Sequence, residues 1–375
     1  MPSPPLGAPV DAIDTPALVI DFDAMQRNLA AMAAYAHEHR MRLRPHAKTH
    51  KSAAIARLQI DAGAVGICVQ KLSEAEALAE CGIADIFISN EIVDPAKLER
   101  LAALALRIEL AVAVDSALGI ERLAAALKAR GASADVFVEI DVGQGRCGVA
   151  PAAAGALAHQ VVSHGLRFAG LQAYHGKAQH LRSAAEREAA LRHAVALVRA
   201  AQAGITRAGI ACPLVTGAGT GTFVHEAVSG VYGELQCGSY LFMDRDYADN
   251  EATPHAPRFE HALFVKSQVI SRGSAHAVVD AGHKAHAIDS GLPKAWQRDD
   301  LEFGNGGDEH GILRPRSSGS NAAAALPGLG ETVWLVPGHC DPTVNLHDRY
   351  VVVRGGLAHG AVEAVWPVDA RGCLT

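Results

Sequence analysis

Ile108-Glu109-Leu110-Ala111-Val112-Ala113-Val114-Asp115 is an apolar run that stops on a carboxylate, and Ala117–Ala129 behind it repeats alanine and leucine with a helical period. Val136–Asp141 then repeats the first pattern. Strand, helix and strand at this spacing make a βα unit of a parallel sheet, because a parallel neighbour is reached only through a crossover of a dozen or more residues. The pattern extends in both directions. Strand-like runs recur at Met41–Ala47, Val65–Gln70, Asp85–Asn90, Phe168–Tyr174, Pro213–Thr216 and Glu234–Phe242. Helical stretches lie at Glu74–Glu80, Pro95–Leu106, Ala152–Ser163 and Ser183–Ala203, and Asp23–Glu38 reads as one more helix ahead of the first strand. Eight such units in roughly 200 residues predict an α/β fold built on a (β/α)8 TIM-type barrel.

Beyond about residue 250 the helical period stops. Ala262–Ile270, Ala277–Asp280, Thr332–Val336, Tyr350–Arg354 and Val362–Trp366 read as strands between Gly- and Pro-rich turns, while the polar, glycine-rich Gln297–Pro327 reads as loop. This predicts two domains: a barrel over 22–249, and a smaller antiparallel β-domain over 250–375 that takes in 1–21, with Ala17–Asp21 as a further strand.

The 375 residues are 49% hydrophobic and 20% charged, with a formal net charge of -6. The length allows a large core, and the mildly acidic, run-free charge leaves no footprint for nucleic acid or an anionic membrane. No apolar stretch approaches the ~18 residues of a membrane span, and Met1–Val10 lacks the pattern of a signal peptide. Seven scattered cysteines without a CxxC pair suit reduced thiols and a cytoplasmic location.

In a barrel of this kind chemistry collects where the strands finish. The first strand ends in Arg44-Pro45-His46-Ala47-Lys48-Thr49-His50-Lys51. A partly desolvated lysine at a barrel mouth is a candidate Schiff-base amine, against the plain alternative of a surface lysine. The spacing does not choose between Lys48 and Lys51. Strands seven and eight lead into Thr216-Gly217-Ala218-Gly219-Thr220-Gly221-Thr222 and Cys237-Gly238-Ser239-Tyr240. Successive N–H groups and hydroxyls on such loops bind phosphate oxygens, although one glycine loop alone is equally a tight turn. Gly143-Gln144-Gly145-Arg146-Cys147-Gly148 follows strand five and offers Arg146 to a phenolate or carboxylate, or to a surface ion pair. In Pro337-Gly338-His339-Cys340-Asp341-Pro342 an extended backbone would turn His339 and Asp341 to one side and Cys340 to the other. Imidazole plus carboxylate suits Mn²⁺ or Mg²⁺; a simple Asp–His hydrogen bond is the alternative.

Taken together and in order, Arg44–Lys48, Val142–Gly148, Leu171-Gln172-Ala173-Tyr174-His175-Gly176, Glu234-Leu235-Gln236, Gly238-Ser239-Tyr240 and His339-Cys340-Asp341-Pro342 resemble one family. It is the D-threonine aldolase, 3-hydroxy-D-aspartate aldolase and D-serine dehydratase group of fold type III pyridoxal-phosphate enzymes, related to alanine racemase. The resemblance runs from Asp14-Thr15-Pro16 to Trp366-Pro367. It implies that Lys48 carries pyridoxal 5'-phosphate, that Arg146 meets the cofactor's 3′-oxygen and that Gln236 faces its pyridine nitrogen. Thr216, Gly219, Thr220, Gly238 and Ser239 then match the phosphate region, with Tyr240 beside it. Tyr174 and His180 match residues next to the substrate, and His339 and Asp341 match the ligands of a divalent metal. Ala218 departs from the family, whose members often carry a third glycine there, and His283 in Ala281-Gly282-His283-Lys284 is unusual. A homodimer is also implied.

Asp341 at the second ligand position resembles the aldolases, where dehydratase-like members carry cysteine. The expected reaction is therefore retro-aldol cleavage of a D-3-hydroxy amino acid to glycine and an aldehyde. Its base is His180, with His50 or a hydroxide on the metal as rivals. Three alternatives stand beside it: a D-serine or 3-hydroxy-D-aspartate dehydratase, an amino-acid racemase, and a non-catalytic pyridoxal-phosphate protein. The last two leave the His339–Asp341 motif without a purpose.

Overall fold

Asp21 starts the first long helix by accepting the Ala24 N–H at 3.1 Å, and the helix runs Phe22–Glu38 as its spacing predicts. The computed structural model describes residues 4–317 and 323–375. Arg42–Leu43, Ile67–Val69, Asp85–Glu91, Glu109–Val114, Asp135–Glu139, Arg167–Gln172, Val215–Gly217 and Glu234–Leu235 form one parallel sheet. From the second strand to the eighth each pairs with its neighbour in chain order, and the last pairs with the first. The ring joins between its first two strands through the parallel bridge His46–Cys68 and the Val65 N–H to Leu43 O bond of 2.9 Å. This is the expected barrel.

Two strands are shorter than their apolar runs. The run at Met41–Ala47 gives only Arg42–Leu43, since Pro45 has no N–H to offer a ladder. The run at Glu234–Phe242 leaves the sheet after Leu235, because Gly238 must pass close to the end of strand one. A Cβ on Gly238 would sit 2.6 Å from Thr49 Oγ1. The residues released at both places build the barrel mouth.

The helices bury their apolar faces on the outside of the ring, while Cys68, Phe87, Ala111, Ala113 and Phe137 fill its inside. The rings of Phe87 and Phe137 meet at a 40° tilt with centroids 4.8 Å apart. The interior is thus a plug and not a channel, and ligands must enter from one end. Gly170 lets strand six approach strand seven: a Cβ there would lie 1.9 Å from Leu214 O, at φ +140°. Gly170→Ala is expected to lose about 3 kcal/mol, read as a lower urea midpoint at unchanged slope. An unchanged midpoint would contradict this close packing.

The second sheet runs Leu301–Asn305, Gly311–Pro315, Ala277–Val279, Leu263–Arg272, Ala17–Asp21, Arg349–Arg354 and Ala361–Pro367. Thr332–Val336 adds to the long Leu263–Arg272 strand and Lys294–Ala295 adds to Thr332–Val336. Ala17–Asp21 joins it as expected, but its pairing with Arg349–Arg354 is parallel, so the sheet is mixed. Gln297–Pro327 is not simply loop. It holds the antiparallel pair Leu301–Asn305 and Gly311–Pro315, whose Leu301, Phe303 and Leu313 face inward with period two. Glycines and charges around this short alternation hid it. Residues 318–322 of that stretch lie outside the described residues.

Candidate active site

The polar strand ends and the Pro337–Pro342 segment enclose a cavity of about 390 Å³ at the barrel mouth. Lys48 lies in the single helical turn Ala47–Thr49 after strand one and lines this cavity. Its Nζ is 3.0 Å from Asp341 Oδ2. Asp341 is the main cause that raises the lysine's pKa above its ordinary value, against the opposing effect of burial. Burial alone would push the Asp341 carboxyl up, but Lys48 and His339 outweigh it and hold Asp341 well below the usual carboxylate range. Lys51, three residues on, is turned away: it is buried against Glu74, which also accepts the N–H groups of Gln70 at 2.9 Å and Lys71 at 3.1 Å. His50 is fully buried with Gln59 and Ser52 on its two ring nitrogens, and burial pushes it down to about 4. His50 therefore does not face the cavity.

Two glycine loops meet at this cavity, tied together by the Tyr240 N–H to Thr220 Oγ1 bond of 2.9 Å. Gly219, Thr220, Gly238 and Ser239 line the cavity. Among the described residues no protein acceptor faces the backbone N–H of Gly219, Thr220 or Gly238. Three unpaired N–H groups at the wall of one cavity are the donor set a phosphate requires. Gln179 braces the loop from behind, its Oε1 accepting Gly221 N–H at 3.0 Å. Ala218 takes φ +72° and stays buried, so the loop keeps its path with a methyl in the left-handed region. Thr216 and Tyr240 do not line the cavity. Thr216 lies behind Gln236, whose Nε2 donates to its Oγ1 at 2.8 Å, and Tyr240 turns its hydroxyl toward Gln59 at 3.2 Å.

Gln236 is held from two sides. Its Nε2 also donates to Gln172 Oε1 at 2.8 Å, and the Thr216 hydroxyl in turn donates to Glu234 Oε1 at 2.8 Å. Glu234 in turn pairs with Arg44 at 3.3 Å. Arg146 and Tyr174 line the cavity together, the guanidinium 5.9 Å from the ring centroid. Asp141 shapes the Arg146 loop by accepting Gly143 N–H at 2.9 Å and Gly145 N–H at 3.0 Å. Near it, burial and then the Glu91 carboxylate push the Glu139 carboxyl up to about 9.

His180 ends the turn Gly176–His180 and lines the cavity, with Nδ1 2.5 Å from Asp246 Oδ2. Burial would raise Asp246, but His180 and Arg182 bring it down to about 2. A carboxylate on Nδ1 leaves the other ring nitrogen as the proton acceptor. His283 lies outside the cavity, 2.8 Å from Asp308.

His339 and Asp341 meet in the cavity by a route other than the expected one. His339 is extended, but Cys340–Val344 forms one helical turn, so strand alternation does not apply. Asp244 makes this turn by accepting Cys340 N–H at 2.9 Å, and Thr343 Oγ1 donates to His339 O at 2.7 Å. Cys340 is buried and faces away, as expected. His339 Nε2 and Asp341 Oδ2 stand 4.0 Å apart, a gap that one ion with bonds of about 2.1 Å can span. Asp341 Oδ1 is buried with no hydrogen-bond partner, a lone pair set aside. Among the described residues no third His, Cys, Asp or Glu completes a cluster. An ion held by these two side chains alone would keep positions open for substrate or water, as in catalytic centres.

The alanine racemase N-terminal domain family model matches residues 20–246, and a serine dehydratase domain model matches 262–353. A D-threonine aldolase from Arthrobacter sp. is 46% identical over 370 residues, covering 98% of this chain and 95% of that protein. The chain belongs to the D-threonine aldolase family. A 3-hydroxy-D-aspartate aldolase from Paracoccus denitrificans (strain Pd 1222) is 44% identical over 370 residues, covering 96% of this chain and 92% of that protein. The crystal structure of D-threonine aldolase from Filomicrobium marinum superposes with a TM-score of 0.95 at 48% identity, covering 99% of each chain. D-threo-3-hydroxyaspartate dehydratase from Delftia sp. HT23 is more distant, at a TM-score of 0.85 and 27% identity over 96% of this chain and 98% of that one. The relatives at 44–46% identity are named aldolases, which are carbon–carbon lyases, and pyridoxal phosphate is the cofactor expected of the D-threonine aldolase family.

For this family member, residue-by-residue reading missed the carboxylates behind the histidines. Asp246 on His180 and Asp289 on His339 are 66 and 50 residues from their partners. Only the closely spaced acids Asp244 and Asp246, just past the last barrel strand, left a trace in the sequence.

Proposed function

We propose that the chain is a pyridoxal-phosphate- and divalent-metal-dependent aldolase that cleaves D-3-hydroxy amino acids, D-threonine or 3-hydroxy-D-aspartate among them, to glycine and an aldehyde. The observation that carries this reading is the meeting of Lys48 with Asp341 at 3.0 Å, beside His339, in one cavity. When bound, the cofactor supplies a sink for the electron pair left at Cα, and the metal acidifies the β-hydroxyl.

The chain's own residues do the rest. Lys48 anchors the cofactor. The N–H groups of Gly219, Thr220 and Gly238, with Ser239, hold its phosphate. Arg146 meets its 3′-oxygen, and Tyr174 packs beside the substrate. Gln236 presents a neutral amide to the pyridine nitrogen and is too firmly held by Gln172 and Thr216 to turn away. His339 and Asp341 hold the metal, and Mn²⁺ or Mg²⁺ suits this donor pair. His180, oriented by Asp246, takes the proton from the β-hydroxyl. The oxygen thus stays on Cβ as Cα–Cβ breaks, giving the aldehyde, and a proton returned to Cα gives glycine.

The reading includes two units, 22–249 with the cofactor and 250–375 plus 1–21 with the metal, in a cytoplasmic homodimer. All seven cysteines are free, which supports a reducing compartment, and no helix among the described residues is long and apolar enough to cross a membrane.

The test is a product balance. D-Threonine or 3-hydroxy-D-aspartate with the loaded enzyme and Mn²⁺ is expected to give glycine and aldehyde in equal amounts, with little ammonia, and the L-substrates to be inert. Ammonia and a 2-keto acid as main products would instead assign the elimination reaction.

A further inference from the structure

His339 is held from behind by a loop that none of its sequence motifs announced. The segment 285–292 runs along the Pro337–Val344 turn and is fastened to it at several points. Gly338 passes so close that a Cβ would lie 2.1 Å from Gly291 O. Ala287 N–H donates to Thr343 Oγ1 at 3.0 Å, the same hydroxyl that donates to His339 O. Arg245 bridges the two segments, its backbone N–H to Pro337 O at 3.0 Å and its Nη1 to Leu292 O at 2.8 Å. Between these fixed points Asp289 Oδ2 stands 2.7 Å from His339 Nδ1 and receives the Ser290 hydroxyl at 3.0 Å.

The Asp289 side chain is about half exposed, at 51%. Ion pairs of that exposure add little to folding. Fold stability is therefore a weak reason for a loop so carefully anchored to aim a carboxylate at one ring nitrogen. The effect on the ring is specific. A carboxylate on Nδ1 keeps the proton there and turns the Nε2 lone pair to the opposite side, which is the side of Asp341 Oδ2 at 4.0 Å.

We infer that Asp289 is a positioning residue of the metal centre: it fixes the tautomer and angle of His339 so that Nε2 and Asp341 present one preformed pair of donors to a divalent cation. The inference rests on the metal reading above. Carboxylates in this position contribute about 10- to 100-fold to metal affinity.

The experiment titrates Mn²⁺ into cofactor-loaded protein, stripped of metal with a chelator, by calorimetry. Asp289→Ala is expected to weaken Mn²⁺ binding by about 10- to 100-fold. The visible absorbance of the cofactor should not change, and Asp289→Glu should recover part of the affinity. Recovery by glutamate separates positioning from a general loss of structure. Asp289→Ala binding Mn²⁺ within twofold of the unaltered protein overturns the inference and leaves the metal reading standing. An unaltered protein that binds no Mn²⁺ overturns the metal reading, and the inference falls with it.

Discussion

Lys48→Ala is expected to yield a folded protein without the visible absorbance of bound cofactor and with cleavage reduced by roughly three orders of magnitude or more, the scale of removing a covalent catalytic group. The rival amine three residues away cannot replace it. Lys51 is buried against Glu74 and points out of the cavity. Its removal has a different signature. Lys51→Ala leaves Glu74 buried without its cation, a change that costs about 3–5 kcal/mol. It should lower the urea midpoint while each molecule that remains folded keeps its chromophore. Should Lys51→Ala fail to fold, Lys51→Arg retains the charge and serves the same comparison. Loss of the chromophore in the Lys51 variants, with retention in Lys48→Ala, would show that the anchor is misassigned.

Asp341→Ala is expected to reduce cleavage to background even in excess Mn²⁺, because His339 alone offers the ion a single protein donor. The cofactor should remain bound, since the N–H groups proposed to hold its phosphate, those of Gly219, Thr220 and Gly238, belong to the barrel loops. Chelation of the unaltered enzyme should give the same inactive, coloured protein, and Mn²⁺ should restore it. Full activity after chelation, with metal content measured as nil, would remove the metal role of both residues.

The barrel was legible because each strand is an apolar run that ends abruptly on polar or glycine residues, and eight such runs in order admit few other folds. The second sheet was legible where its strands are long. It failed at Leu301–Asn305 and Gly311–Pro315, whose inward positions are three large side chains among glycines and charges. Within the site, position along the chain could not separate Lys48 from Lys51, since the choice depends on which one meets Glu74 and which meets Asp341. The pairing of His339 with Asp341 was expected for a strand and is achieved by a capped helical turn. Asp289 was beyond reach, because a side chain that works on another from a distant segment has no local pattern, and Asp246 left only its closeness to Asp244.

The short segment Asp244–Asp246 has a consequence for redesign. Asp246 steadies His180, Asp244 caps the turn of His339 and Asp341, and the N–H groups of Arg245 and Asp246 bond to Pro337 O at 3.0 Å and Gly338 O at 3.2 Å. Three consecutive residues thus set the spacing between His180, the proposed base, and His339 and Asp341, the proposed metal ligands. An engineer who wants the enzyme to accept bulkier aldehydes should treat this stretch as the fixed jaw of a vice. The adjustable jaw is the exposed Lys177 side chain, which lines the same cavity and makes no hydrogen bond or ion pair among the described residues. Diversity introduced there should alter which side chains fit, while diversity introduced at 244–246 should erase the reaction for every substrate alike.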